Sequence, residues 1–511
     1  MSFLGKNISA NLLSNAWLTA LMLFLTPLYV RFLGVESYGL IGFYLSWIAI
    51  FGILDMGISA TAVREIAWLT VRPEEREKIP DLLLSLEVVY WGIVLILGLV
   101  ILAGAWFFGT SWFEAKNLSP ESVRHALILM SVSLVVQVPA GLYIGGLMGL
   151  QRQVACSGFL ALFGTVRGLG ALIVLWLISP DIRLFFLWQI VACILQTGVM
   201  RWLLWRKVRI EQYPARFSLE ILRSVKMFAG GMIVITALSI VIMQMDKIIL
   251  SRMVSLEAFG YYMLAWTVAS GLSRVATPLI QAFSPHFTEL VSRGDNEALV
   301  KQAHLSSQLM SMLILPPSAL IIFLAKPILL VWIGNEIVAA GASPILAVLA
   351  AGITLTVSSY PALSILYSRK QLRPVLIVSF VSLVVLLPLL VVAIFCFGAM
   401  GAAFCCGLYG LILYVAYQIF GMRWILKKDL IPTMLRDFVA PCVVSFAVAG
   451  VAGFLLKDVG GKFAFVTLLG FWLIIGWFAA LLVCKDLFKT VIEKLKWKMK
   501  SIFNHYRQNY A

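Results

Sequence analysis

Apolar runs long enough to cross a bilayer, about 20 residues each, follow one another from end to end of this chain, with short polar stretches between them. They predict fourteen helices, at roughly 10–33, 38–62, 81–108, 125–150, 154–178, 183–206, 226–250, 258–283, 305–325, 343–367, 374–398, 400–421, 437–456 and 463–484. The first run has no small-residue cleavage site ahead of a soluble domain, so it reads as an uncleaved span. The turn between the eleventh and twelfth spans, Gly398 to Gly401, is short.

The polar punctuation repeats. Arg31, Glu36, Tyr38 and Gly39 recur at one constant offset as Arg252, Glu257, Phe259 and Gly260, and each set lies between two long apolar runs. Pro139 and Ala140 in the fourth span recur within one position of that offset as Pro361 and Ala362 in the tenth, and Gln151 and Gln371 close the same two spans. A duplicated membrane bundle of this kind usually forms a transporter whose path lies at the interface between the repeats. The pattern predicts an all-α polytopic membrane protein of about 14 transmembrane helices. Its organisation reads as a six-helix bundle over 1–210, a repeat of that bundle over 211–425, two further helices over 426–485 and a basic tail over 486–511. Prolines at 27, 139, 278, 316, 317, 361 and 388 mark places where these helices can bend.

Composition agrees: 61% of residues are hydrophobic, 13% are charged, and the mean hydropathy is +0.98. The seven cysteines all lie in apolar stretches without metal-ligand or pairing spacing, and read as small hydrophobes. The net charge of +16 is a topology signal rather than a nucleic-acid surface, because its lysines and arginines are unevenly placed. With the N-terminus inside, 29 of them fall on the cytoplasmic side and 8 outside, and both termini are cytoplasmic. The stretch from Lys489 to Lys500 reads as a positive-inside anchor, with a basic amphipathic helix on anionic lipid as the alternative.

Several chemistries have no foothold. No Walker loop or dinucleotide fingerprint is present, and no segment outside the membrane is large enough for a nucleotide-binding domain. The largest loops, near 63–80, 207–225 and 285–304, carry only scattered charge, which argues against an enzyme with a catalytic loop. The four histidines, at 125, 286, 304 and 505, fall at or beyond span ends, so a histidine relay through the bilayer is not expected. No cofactor, metal or catalytic residue is predicted.

Ionisable groups inside the spans are the candidates for function, since each costs at least about 2.5–3.5 kcal/mol to insert. Asp55 lies in span 2, Arg167 in span 5 and Arg274 in span 8, with Asp246 and Lys247 near the end of span 7. On the repeat, Arg274 falls two positions from Asp55, so a base and an acid occupy similar depths on equivalent helices. An arginine there suits phosphate, whose oxygens its planar fork binds bidentately. An aspartate there suits either a coupling ion or the arginine itself. Arg167, set among glycines, serves a substrate path or helix packing equally well. Asp246 and Lys247 suit structural pairing, and Arg31, Glu36, Arg252 and Glu257 suit loop or cap roles.

The run Pro27, Arg31, Gly34, Glu36, Tyr38, Gly39, followed by Asp55, Gly57, Ser59, Arg64 and Glu65, resembles the N-terminus of Wzx-type polysaccharide flippases. These belong to the multidrug/oligosaccharidyl-lipid/polysaccharide (MOP) exporter superfamily. Asp246, Glu257, Gly260, Tyr262, Pro285, Gly294 and Asp295 extend the resemblance into the second half. Spans 13 and 14 depart from the twelve-span form of O-antigen flippases and are similar to the lipid II flippase branch. The resemblance implies a MATE-like, V-shaped pair of six-helix bundles around a cationic cavity in the bacterial inner membrane. The implied cargo is an undecaprenyl-diphosphate-linked oligosaccharide, an O-antigen or similar repeat unit, moved to the periplasmic leaflet. Arg274 and Arg167 would receive the diphosphate, and Asp55 or Asp246 would bind a coupling proton or sodium ion. Membrane lipids and glycan polymerase machinery are the other implied contacts. A cation-coupled multidrug exporter, a lipid II-type flippase and, more distantly, a glycan polymerase or ligase are the competing readings.

Overall fold

The computed structural model describes residues 3–109, 111–208, 214–220, 222, 243–423, 430–456, 461–489 and 493. Among these residues the chain is helical almost throughout, and the one extended pairing is an isolated bridge between Glu114 and Ser255. Among the described residues, 11 helices are long and apolar enough to cross a membrane. They account for the expected spans as follows. Spans 1 and 2 form one long helix, span 7 falls mostly outside the described residues, and span 8 is helical but too polar to be counted.

The chain divides into two compact units, Met1–Leu264 and Ala265–Ala511. Residues 243–264 pack with the first unit. Their reason is steric: a methyl added at Gly39 would stand 3.0 Å from the Leu256 carbonyl oxygen, and one at Gly260 would overlap Val35. Glycine pairs let helix backbones meet in lipid, where van der Waals packing rather than water expulsion drives association.

In the first unit, α1 (Phe3–Thr70) breaks at a single residue, Gly34, with φ 79° and ψ 169°. That conformation is open only to glycine, so the expected four-residue connection shrinks to one residue. Around α1 lie α2 (Lys78–Phe108), α3 (Pro120–Gln137), α4 (Ala140–Gly149), α5 (Gln153–Leu177) and α6 (Ile182–Val208). Helical residues 243–253 (α7) and the start of α8 (Leu256–Arg293) complete the unit. On α4, Gly145 and Gly149 sit one turn apart against the Ser59 and Val63 carbonyls of α1, a close small-residue seam.

The second unit holds the rest of α8, then α9 (Asn296–Phe323), α10 (Ala325–Ile333), α11 (Glu336–Ser358), α12 (Tyr360–Ser368), α13 (Leu372–Phe397) and α14 (Ala399–Tyr417). Two last helices, α15 (Leu430–Leu456) and α16 (Lys462–Val483), pack on α9. The basic tail from 490 onward lies, apart from residue 493, outside the described residues. Helices run further than the apolar pattern implied. The 285–304 segment is not a loop but the end of α8 and the start of α9, joined at Gly294 (φ 70°) and capped where the Asp295 side chain accepts the Ala298 N–H at 3.0 Å.

The repeat survives as backbone detail. Pro139 divides α3 from α4, and Pro361 opens α12 just after α11 ends. Both short helices then end in the same turn. Arg152 N–H bonds the Leu147 carbonyl and Gln151 N–H that of Met148; Gln371 N–H bonds Leu366 and Lys370 N–H bonds Tyr367. This is the Schellman pattern, and it places Gln151 (φ 57°) and Lys370 (φ 58°) in the left-handed region. Prolines 27, 278, 316, 317 and 388 are instead carried inside continuous helices.

Candidate substrate site

Helices α1, α3, α5 and α6 of the first unit enclose a polar cluster. Its centre is Arg167 on α5. Its Nε donates to the Gln189 side-chain oxygen of α6 at 3.0 Å, and its Nη2 donates to that of Gln137, at the end of α3, at 3.1 Å. Gln189 donates back to the Arg167 carbonyl at 3.4 Å, so the amide cannot turn without losing both bonds. Tyr44 of α1 donates to the same Gln137 oxygen at 2.9 Å and pairs with Ser133 at 2.6 Å. Tyr29 donates to the Gly168 carbonyl at 2.7 Å, fixing the backbone beside the arginine. Edge-on rings of Tyr29 with Phe185 and Tyr44 with Phe186 brace the other side.

Every hydrogen-bond partner of the Arg167 guanidinium among the described residues is neutral, and none of the ion pairs there includes it. Two amides therefore fix its direction without cancelling its charge. A half-buried cation in that state attracts an anion, and the planar guanidinium favours phosphate oxygens.

The other sequence candidates are arranged differently. Asp55 has a helical backbone in α1, but its side chain lies outside the described residues. Arg274 is exposed on α8 of the second unit. Asp246 lies 3.1 Å from the Nζ of buried Lys247 and accepts the Tyr262 hydroxyl at 2.5 Å; Lys247 also donates to the Met243 carbonyl. Glu36 is buried and accepts the N–H groups of Lys116, Asn117 and Leu118, each at 3.0 Å, which ties the 111–119 segment to α1. Glu257 accepts from Tyr261 at 2.6 Å and pairs with Lys116 at 3.7 Å. Arg252 donates to the Trp112 carbonyl at 3.5 Å, and Arg31 is exposed.

Sequence reading missed two groups. Glu87 on α2 is buried and accepts Arg201, Trp205 (2.8 Å) and Tyr143 (2.9 Å), gathering α2, α4 and α6. Its place well inside an expected span was the available signal. His304, expected at a span end, lies inside α9 with its Nδ1 2.6 Å from Asp437.

Two compact helical units, the first with a polar interior, define a polytopic all-α membrane bundle. The family model described as polysaccharide biosynthesis protein matches residues 4–291, and the chain belongs to that family. A curated relative, the membrane protein EpsK of Bacillus subtilis strain 168, is 25% identical over 339 residues, 64% of this chain. The chain spans 65% of the length of that relative. Among solved structures, the lipid II flippase MurJ in an inward closed conformation superposes with a TM-score of 0.72 at 14% identity, covering 94% of this chain and 99% of its own. An inward-facing MATE-family multidrug transporter of the MOP superfamily gives a TM-score of 0.64 at 16% identity, covering 81% and 95%. The MATE-like fold expected from the sequence is thus the fold observed.

Proposed function

We propose that this protein is a flippase for an undecaprenyl-diphosphate-linked oligosaccharide, an O-antigen or similar repeat unit, carried from the cytoplasmic to the periplasmic leaflet of the bacterial inner membrane. The observation that carries the reading is Arg167, a cation held in place inside the first unit by Gln137 and Gln189 without a neutralising carboxylate among the described residues. A diphosphate entering hydrocarbon needs such a partner, because a buried charge without one is prohibitive. Membership of the polysaccharide biosynthesis family supports a saccharide cargo. Arg274 is the second proposed phosphate contact. Transport runs by alternating access on an ion gradient, with Asp55 and Asp246 the proposed coupling carboxylates, and both termini are cytoplasmic. An exporter of cationic drugs would place carboxylates rather than an amide-held arginine in such an interior.

The test is deletion of the gene followed by measurement of lipid-linked saccharide on each face of the inner membrane. Cytoplasmic-face accumulation, reversed by the wild type but not by Arg167→Ala, is expected. Accumulation on the periplasmic face would place the block after translocation and replace this reading with polymerase or ligase action. Accumulation of the peptidoglycan precursor alone would reassign the cargo to lipid II.

A further inference from the structure

In the second unit, His304 on α9 faces Asp437 on α15 across 2.6 Å, and Gln308, one turn along α9, donates to the other Asp437 oxygen at 2.7 Å. Asp437 is 3% exposed. Of its hydrogen-bond partners among the described residues, His304 alone can carry a positive charge. A buried carboxylate needs hydrogen-bond donors, and here the His304 ring at 2.6 Å and the Gln308 amide at 2.7 Å supply them.

Beside the pair lies a small cavity of mixed lining, in which Ser307, Ser358, Gln418 and Thr433 face His304 and Asp437 among apolar side chains such as Met422 and Phe438. Ser358, 6% exposed, turns its hydroxyl to this cavity without a hydrogen-bond partner. An orphaned buried hydroxyl at such a cavity is a place for water. Both backbone walls depart from the α-helix here, in π-helical turns at Gln418–Met422 and Leu435–Val439, a deformation concentrated at functional sites.

The donors around the pair favour a proton over a metal ion as its ligand. His304, Asp437 and Asp486 bring their ligand atoms within 4.8 Å of one another, but donors already occupy the carboxylates. Gln308 Nε2 donates to Asp486 at 3.0 Å as well as to Asp437, and Arg436 pairs with Asp486 at 2.7 Å. The amide orientation is fixed, since its oxygen accepts the Leu487 N–H at 3.0 Å.

We propose that the His304–Asp437 pair is a reversible proton-binding site of the second unit, filled and emptied through water in the Ser358 cavity. This rests on the transport reading only in making the bound proton a coupling ion, additional to those proposed at Asp55 and Asp246. The titratable and charged groups facing the pair are Arg436 of α15, Asp486 and Cys484 beyond α16, and Tyr414 of α14. With His304 neutral, Asp437 keeps its charge and is held by two neutral donors. Once His304 is protonated, the contact becomes an ion pair joining α9 to α15.

The test is nitrogen NMR of the full-length protein labelled at histidine, with His304→Gln assigning the signal. One imidazole is expected to titrate reversibly between about pH 5 and 8, and the transition should shift or vanish in Asp437→Asn. Transport by His304→Gln should lose its dependence on pH across that range while its melting temperature stays near the wild type. A His304 signal fixed in one state from pH 5 to 8 would overturn the proposal, whatever the cargo. Titration without transport would instead remove the flippase reading and leave the proton site standing.

Discussion

Carried along the chain by the offset that relates Arg31 to Arg252, the first unit's Arg167, Gln189 and Gln137 fall on Pro388, Gly410 and Ser358 of the second. In the first unit these positions hold the cation and its two amides. In the second, Gly410 lets α14 lie directly on α11, so close that a methyl there would overlap the Gly352 carbonyl oxygen. The shared scaffold, including the proline-divided helix and its strained terminal turn, therefore does not require the arginine. A unit without that polar interior builds the same helices. What the first unit gains from Arg167 is a property of its interior, not of its fold.

The comparison can be broken most directly at Arg167. Arg167→Ala is expected to cut transport by roughly 100-fold, the loss of a charge-assisted bond of about 1.5–3 kcal/mol, with a small change in melting temperature. A large fall in melting temperature with unimpaired specific transport would make the residue structural instead. In the second unit the sensitivity should reverse. Gly410→Val is expected to destabilise by about 1–3 kcal/mol through overpacking against Gly352, read as a lower melting temperature in detergent. A third variant sharpens the contrast: Gln189→Leu removes the amide but not the charge. It is expected to cost about 1 kcal/mol in transport, close to a fivefold fall, and to add little once Arg167→Ala is already present. The smallest effect tests what the units share. Gln151→Gly and Lys370→Gly each relieve a left-handed non-glycine turn, and each should stabilise by roughly 1 kcal/mol without altering transport.

The scaffold was legible because its signals are local. Apolar length gave most spans, and the paired Pro139 and Pro361 marked bends in the two spans that the structure shows as divided helices. Boundaries slipped where polar residues continue a helix beyond the apolar run, as at His304, which α9 carries because Asp295 caps it upstream. The candidate site was legible only as single charges. Arg167 stood out as a cation in a span, but its partners lie 22 and 30 residues away on other helices, and nothing in the sequence links them. The Glu87 cluster escaped for the same reason, since Arg201 is 114 residues distant. Asp246 and Lys247 were readable as a pair because they are adjacent; Tyr262, the third member, was not.

The packing of residues 243–264 onto α1 has a consequence for synthesis. The first unit is not complete when its sixth helix leaves the ribosome, because Gly39 and Gly42 meet Leu256, Gly260 and Met263, which are translated only after that helix. Until those residues arrive, α1 carries an unfilled glycine face in the membrane. A nascent chain stalled between the sixth helix and residue 264 therefore leaves that face of α1 without its partner.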